Sequence, residues 1–222
     1  MTSMFCGQLI SPEVAIQGLH DPVGVVLHQM EEMKLSTLPV SDEDKFLGMI
    51  AEDDLQDEAD DTPLDQLQDY FIKSFVKATD YFLVAVKLSH VMNLDAIPVL
   101  NEKNELEGVI TREILFRELA HMTGSQDYGS LVVLEMEKSA YSVGEINRLV
   151  ESNDAVITQL NTWSDSNTHI LTVVLRINKE EISDVVATFQ RHEYAVRYYM
   201  GEELFRNELQ SNLDHLINYL NI

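Results

Sequence analysis

The chain has 222 residues, of which 38 are Asp or Glu and 15 are Lys or Arg, for a formal net charge of −23. That sign opposes nucleic acid and anionic membrane surfaces, because no run of basic residues offers phosphate a patch. Hydrophobic residues make up 45% of the chain, enough apolar material to close a core, so wholesale disorder is excluded and the length allows one to three small domains.

Cys6 is the single cysteine, which excludes an internal disulfide and a multi-cysteine zinc site and fits a reducing compartment. The first ten residues have neither the basic start nor the apolar stretch of a signal peptide, and too little chain precedes Cys6 for a lipoprotein signal. The longest apolar runs, such as Leu171-Thr172-Val173-Val174-Leu175, are strand-sized and far short of the roughly 20 residues that span a bilayer. The expectation is a cytoplasmic protein with no nucleic-acid or membrane partner.

In chain order, a first helix is predicted from Asp21-Pro22, a capping residue followed by proline at the first helical position, with Val23, Val26, Leu27, Met30 and Met33 on one face. A hairpin follows: Ser36-Thr37-Leu38-Pro39-Val40, the polar turn Ser41 to Lys45, then Phe46-Leu47-Gly48-Met49-Ile50. Asp53-Asp54-Leu55 reads as another helix start. Ser41 to Asp69 holds twelve acidic residues and one base, Lys45. It lacks the glycine and alternating ligands of a calcium loop, so it reads as a solvated connector and not a metal site. Thr62-Pro63 with Asp65 marks the start of a short helix within it.

The same pattern then returns. A helix begins near Asp80 with Leu83, Val84, Val91 and Met92 as its apolar positions. A hairpin runs from Asp95-Ala96-Ile97-Pro98-Val99-Leu100 through Asn101 to Asn104 into Leu106-Glu107-Gly108-Val109-Ile110, and Glu113-Ile114-Leu115-Phe116 starts a helix. The unit is strand–helix–strand–strand–helix, about 60 residues long and present twice.

This duplicated apolar-Pro-Val, turn, Gly-apolar-apolar motif resembles a tandem pair of cystathionine β-synthase (CBS) domains, the Bateman module, with a first CBS unit over 1–60 and a second over 61–122. The resemblance implies clefts that hold adenine nucleotides. It also implies a Thr or Ser three residues after the glycine on the phosphate side, and an Asp six residues after it on the ribose hydroxyls. Each repeat keeps half of this. The first has Ala51 in the hydroxyl position and retains Asp54; the second retains Thr111, adds Arg112 and has Ile114 in place of the carboxylate. The nucleotide-binding residues implied are Thr111, Arg112, Ile97, Pro98, Asp54, Leu38 and Pro39, with AMP, ATP, NAD or S-adenosylmethionine as the ligand. Asp54 and Thr111 have a second reading as caps of the helices that follow. Glu52, Asp53, Asp57 and Glu58 crowd the first half-site with negative charge, so charge favours the second cleft for a phosphate.

Met122 to Ser130 has linker composition, with the linker at 123–129. Beyond it Leu131 to Met136 reads as a strand, and Val143, Ile146, Leu149 and Val150 sit at helical spacing. Ala155 to Trp163 and His169 to Ile177 alternate as strands, Ile182, Val185, Val186 and Phe189 mark a helix, and Tyr194 to Met200 is a last strand. The order βαββαβ over 130–201 is that of a ferredoxin-like half-sandwich and resembles an ACT domain, a regulatory fold that senses amino acids and pairs with a second copy. Tyr141 stands where that family has a glycine that admits the ligand, which favours packing or dimerisation over amino-acid binding. The whole order is similar to acetoin-utilisation B-type proteins. The fold class is thus α+β: a CBS pair, an ACT-like domain and a C-terminal amphipathic helix over 202–222. In that helix Phe205, Leu209, Leu213, Leu216, Ile217 and Leu220 form a stripe that either meets a partner copy or packs on the ACT-like sheet.

Catalytic chemistry is not evident. The seven histidines (His20, His28, His90, His121, His169, His192 and His215) form no helical metal-binding pair, and no nucleophile elbow, P-loop or dinucleotide fingerprint is present. Cys6 reads as a bystander near a mobile end, and Trp163 and Tyr198-Tyr199 as core or interface residues in strands. The leading expectation is therefore a regulatory homodimer with an unknown protein target and no enzymatic activity, metal or catalytic residue. The alternative is a scaffold with degenerate clefts.

Overall fold

The structure, a computed structural model, describes residues 5–43, 45–125, 127–165 and 168–201. The chain divides into two compact units, one up to His121 and one from Met122. The expected C-terminal helix lies outside the described residues.

The first unit contains the duplication. Its first repeat comprises β1 (Gln17–Gly18), α1 (Val23–Met33), β2 (Thr37–Asp42) and β3 (Lys45–Ala51). Its second comprises β4 (Val76–Lys77), α2 (Phe82–Met92), β5 (Ala96–Leu100), β6 (Leu106–Thr111) and α3 (Arg112–Met122). Each three-stranded sheet pairs its short first strand parallel to the second, and the second antiparallel to the third. Gln17 lies opposite Val40 and Val76 opposite Val99, so both partners move by 59 residues from one repeat to the next.

The helix starts differ by one residue from the expected caps. Asp21 turns its carboxylate back to accept from the Gly18 amide at 2.6 Å, and Asp80 does the same to Lys77 at 2.8 Å. Pro22 and Tyr81 then hold extended backbone at the N-cap positions. With no side chain capping α1, its first orphan amides, those of Val23 and Gly24, donate to the carbonyls of Thr62 (2.9 Å) and Asp60 (3.0 Å) in the acidic connector. This use of the connector helps explain why the helix expected at Asp53 forms only as the 3-10 turn Glu52–Asp54. Acids four apart, Asp53 with Asp57 and Asp54 with Glu58, also repel along a helix face. Pro63 precedes the turn Leu64–Gln66, the short helix read from Thr62-Pro63.

Helix α1 buries Val23, Val26 and Met30, with Leu27 and Met33 packed at the edge, as its spacing predicts. Helix α2 does not follow its predicted face. Phe82, Ala85 and Ser89 are buried, whereas Leu83, Val84, Val91 and Met92 are exposed. The segment is apolar nearly all round, so spacing selects no face and packing on β5 decides.

The two repeats exchange their leading segments. Ser11 donates to the Val109 carbonyl of β6 at 2.8 Å, while Met49 of β3 and Ile72 exchange two backbone bonds of 2.9 Å. The segment before repeat one thus lies on the last strand of repeat two, and the reverse, an approximate two-fold relation. It accounts for the paired glycines. Gly48 lies under Phe71 and Gly108 under Ile10, at φ of 157° and 147°, where only a residue without Cβ fits. Asp95 ties the repeats together as well: it accepts from the Ser36 amide (2.6 Å), the Ser36 hydroxyl (2.9 Å) and the Thr37 hydroxyl (2.6 Å).

The second unit runs β7 (Ser130–Glu137), α4 (Val143–Glu151), β8 (Ile157–Ser164), β9 (Ile170–Ile177), α5 (Ser183–Arg191) and β10 (Ala195–Met200). Its sheet has the order β10-β7-β9-β8, antiparallel throughout. Alternate residues of β7 and β9, among them Leu134 and Val173, pack with Ile146, Leu149, Val185 and Phe189 of the helices. Ser142 caps α4 by accepting from the Glu145 amide at 3.3 Å. Trp163, Tyr198 and Tyr199, expected in the core or at an interface, are about half exposed and so are not core. They project from edge strands whose neighbours do not cover them.

Candidate functional site

Thr111 ends β6 and Arg112 opens α3, so a hydroxyl and a guanidinium flank the helix N-terminus. The Arg112 amide donates to the Asp95 carbonyl at 2.8 Å, and its guanidinium reaches Asn93 Oδ1 at 3.4 Å. Thr111 Oγ1 accepts from the Ile114 amide at 3.4 Å, a long capping bond. In front of them opens a cleft of about 990 Å³ walled by the leading segment (Leu9, Ile10, Pro12, Val14), by Lys34 and Leu35 at the end of α1, and by Thr111, Arg112, Ile114 and Arg117. Lys34, Arg112 and Arg117 bring positive charge; Glu13, Glu32 and Glu113 stand at the same cleft. Two further acids there are engaged: Asp95 by its three donors, and buried Glu118 by Arg117 Nε at 3.8 Å.

The first repeat differs. A groove of about 750 Å³ lies along α1, lined by Leu27, Met30, Glu31, Lys34, Glu52 and Gln56, with Asp95 at its end. Glu52 directly follows Ala51, as Arg112 directly follows Thr111, so this side presents carboxylate where the second repeat presents guanidinium.

Of the residues expected from sequence, Thr111 and Arg112 come together in one cleft. Asp54 sits on the 3-10 turn Glu52–Asp54, partly exposed, and lines neither cavity. Leu38, Pro39, Ile97 and Pro98 are buried in β2 and β5, so their side chains are core and not cleft wall. Sequence reasoning missed Lys34 and the leading segment, which reach the cleft only through the pairing of the two repeats, and it missed Arg117. Arg117, one and a half turns beyond Arg112 on α3, was the one with a local signal. Among the described residues, no three of His, Cys, Asp and Glu converge as a metal site, and no helix is long and apolar enough to cross a membrane.

Cys6 is fully buried, with its amide bonded to the Asp80 carbonyl at 2.9 Å, rather than at a loose end. Burial, and next the charge of Asp80, push its thiol from 9.0 up to about 11. The folded protein keeps this thiol protonated while the unfolded chain ionises above pH 9, so its contribution is complete below pH 9 and is lost as pH rises through 11. Denaturant titrations across that window should show a loss of about 2–3 kcal/mol in the parent that is absent from Cys6→Ala; equal slopes for both would contradict it.

In the second unit, a cleft of about 380 Å³ is lined by Glu135, Glu137, Glu145, His192 and Tyr194, and burial, then Glu145, raises the Tyr194 hydroxyl. Tyr141 packs against the core of this unit.

Residues 11–73 and 75–121 each match the CBS domain family. An inosine-5'-monophosphate dehydrogenase from Methanocaldococcus jannaschii is 29% identical over 130 residues, 57% of this chain and 26% of that protein. The chain thus spans about a quarter of the length of this curated relative. A CBS domain pair/ACT domain protein from Thermotoga maritima superposes with a TM-score of 0.49 at 20% identity, over 54% of this chain and 98% of that chain. CBSX2 in complex with AMP gives 0.45 at 17% identity, over 54% and 98%.

Proposed function

We propose, from the premise that residues 11–73 and 75–121 are a tandem pair of CBS domains, that the chain is a regulatory protein binding an adenine nucleotide in the cleft at Thr111 and Arg112. The observation that carries this reading is the gathering of Thr111, Arg112, Lys34 and Arg117 around one cleft at the start of α3. A phosphate there meets the positive end of the helix, a hydroxyl donor and up to three cationic side chains. The base rests on the apolar wall of Leu9, Ile10 and Pro12. Ile114 offers the ribose no carboxylate, so affinity depends on the phosphate side and falls with salt. The ligand acts by favouring one arrangement of the repeats, since Asp95, which joins them, borders the same cleft.

The second unit we read as ACT-like, serving dimerisation or a second signal, in a cytoplasmic homodimer without catalysis of its own. A scaffold with degenerate clefts is the second reading, favoured by Ala51 and Ile114 at two of the four motif positions and by Asp54 outside both cavities.

Thermal-shift titration with AMP, ATP, NAD and S-adenosylmethionine tests the first reading. At least one should raise the melting temperature by several degrees at saturation, and Arg112→Ala should weaken it about tenfold or more by loss of a charge-assisted contact. No response to any of the four sinks the reading.

A further inference from the structure

We propose, building on the nucleotide reading above, that Glu118 selects the sugar: its carboxylate accepts the two adjacent hydroxyls of a ribose, so the cleft prefers nucleotides that carry both. Thr111 just ahead of α3, and Ile114 and Glu118 on it, stand three and then four residues apart on one stripe, and all three line the cleft. Between them Arg112, Glu113 and Arg117 turn outward and are exposed. Glu118 is the exception among the cleft's glutamates. Its side chain is 9% exposed, whereas Glu13, Glu32 and Glu113 are exposed and take their hydrogen bonds from water. A buried carboxylate must find its donors elsewhere or carry the cost of lost hydration. Asp95, at the same cleft, finds three. For Glu118, Arg117 Nε stands at 3.8 Å, an ion-pair distance beyond hydrogen-bond reach, on a side chain that is itself 57% exposed. The cleft wall thus holds a buried carboxylate with acceptor capacity to spare.

Position and chemistry both point to the sugar. Glu118 lies roughly 10 Å along the helix from Thr111, but a helical side chain leans toward the N-terminus and covers the turn before its own Cα. That returns the carboxylate to the level of Ile114, roughly 5 Å from the phosphate end. With the phosphate at Thr111 and Arg112 and the base on Leu9, Ile10 and Pro12, the sugar is the group left to face this stripe. Two neighbouring hydroxyls give each oxygen of one carboxylate a donor. Phosphate offers it only negative charge. The adenine edge offers one amine beside a ring nitrogen whose lone pair opposes the second oxygen. Ile114 leaves the sugar unread from its own position, and Glu118, one turn further on, reads it.

Calorimetric titration of the full chain with AMP and ATP, and with their dideoxy analogues that lack both ribose hydroxyls, tests the assignment. The parent should bind at least one of the ribonucleotides about tenfold or more tightly than its analogue. Glu118→Met, similar in length and apolar, should erase the preference by bringing the ribonucleotide down to the affinity of the analogue. Glu118→Gln, which keeps one acceptor oxygen, should narrow it. A residue that served only the packing of α3 would shift all four affinities together and leave their ratios intact. A parent that binds ribonucleotide and analogue equally, or a preference that survives both Glu118→Met and Glu118→Gln, overturns the role of Glu118 and leaves the nucleotide reading standing. A parent that binds none of the four overturns both.

Discussion

Gly48→Val should destabilise the first unit by about 3–5 kcal/mol and lower its melting temperature by roughly 10 °C or more. Two costs combine. A side chain at φ 157° is strained, and a Cβ there would lie 2.6 Å from the Cβ of Phe71, a buried residue held in place by the two Met49–Ile72 backbone bonds. Neither neighbour yields without breaking the exchange of segments between repeats. Gly144→Ala in α4 is the control with opposite sign: its Cβ would meet nothing within 4 Å, so relief of glycine's chain entropy should stabilise the helix by about 0.5–1 kcal/mol. Melting curves of the two variants side by side decide it. A Gly48→Val protein as stable as the parent would show that the crossing segment does not press on β3.

Asp95→Ala should cost about 2–4 kcal/mol, measured by urea unfolding. One carboxylate accepts from an amide and two hydroxyls of the other repeat, and Thr37 is only 4% exposed, so its hydroxyl is left without water or partner when the acceptor goes. Ser36→Ala removes one of these bonds and should cost about 1 kcal/mol. An Asp95→Ala cost no larger than that of Ser36→Ala would mean that the repeats are held by their apolar contacts alone.

The duplication was readable because its signals are local and occur in register: proline before valine in one strand, glycine in the next, a helix ahead of both. The reason for the glycines was not, since it lies in Ile10 and Phe71, each arriving from the other repeat. Helix α1 and the helices of the second unit showed their buried faces through a clear division of polar and apolar residues, except that Val143, read with the apolar positions of α4, is exposed at its first turn. Helix α2 did not, and the residues read as its core, Val91 and Met92 among them, are those it exposes. The acids after β3 read as a helix start because Asp and Glu favour first turns. Repulsion between turns, and the commitment of the Asp60 and Thr62 carbonyls to α1, prevail instead. At the candidate site, the motif located Thr111 and Arg112. The apolar-Pro-Val residues Leu38, Pro39, Ile97 and Pro98 define the hairpins from within the core, so they mark the site's position without bordering it. Lys34 and the leading segment reach the cleft only through tertiary pairing, for which a single sequence holds no sign.

On the proposed reading the second repeat, and not the first, holds the ligand. Calorimetric titration of AMP and ATP into the full chain, repeated with Arg112→Ala and with Asp54→Ala, tests it most directly. The expected result is one site per chain, weakened about tenfold or more by Arg112→Ala and unchanged by Asp54→Ala. Binding that survives Arg112→Ala and is lost with Asp54→Ala would contradict it.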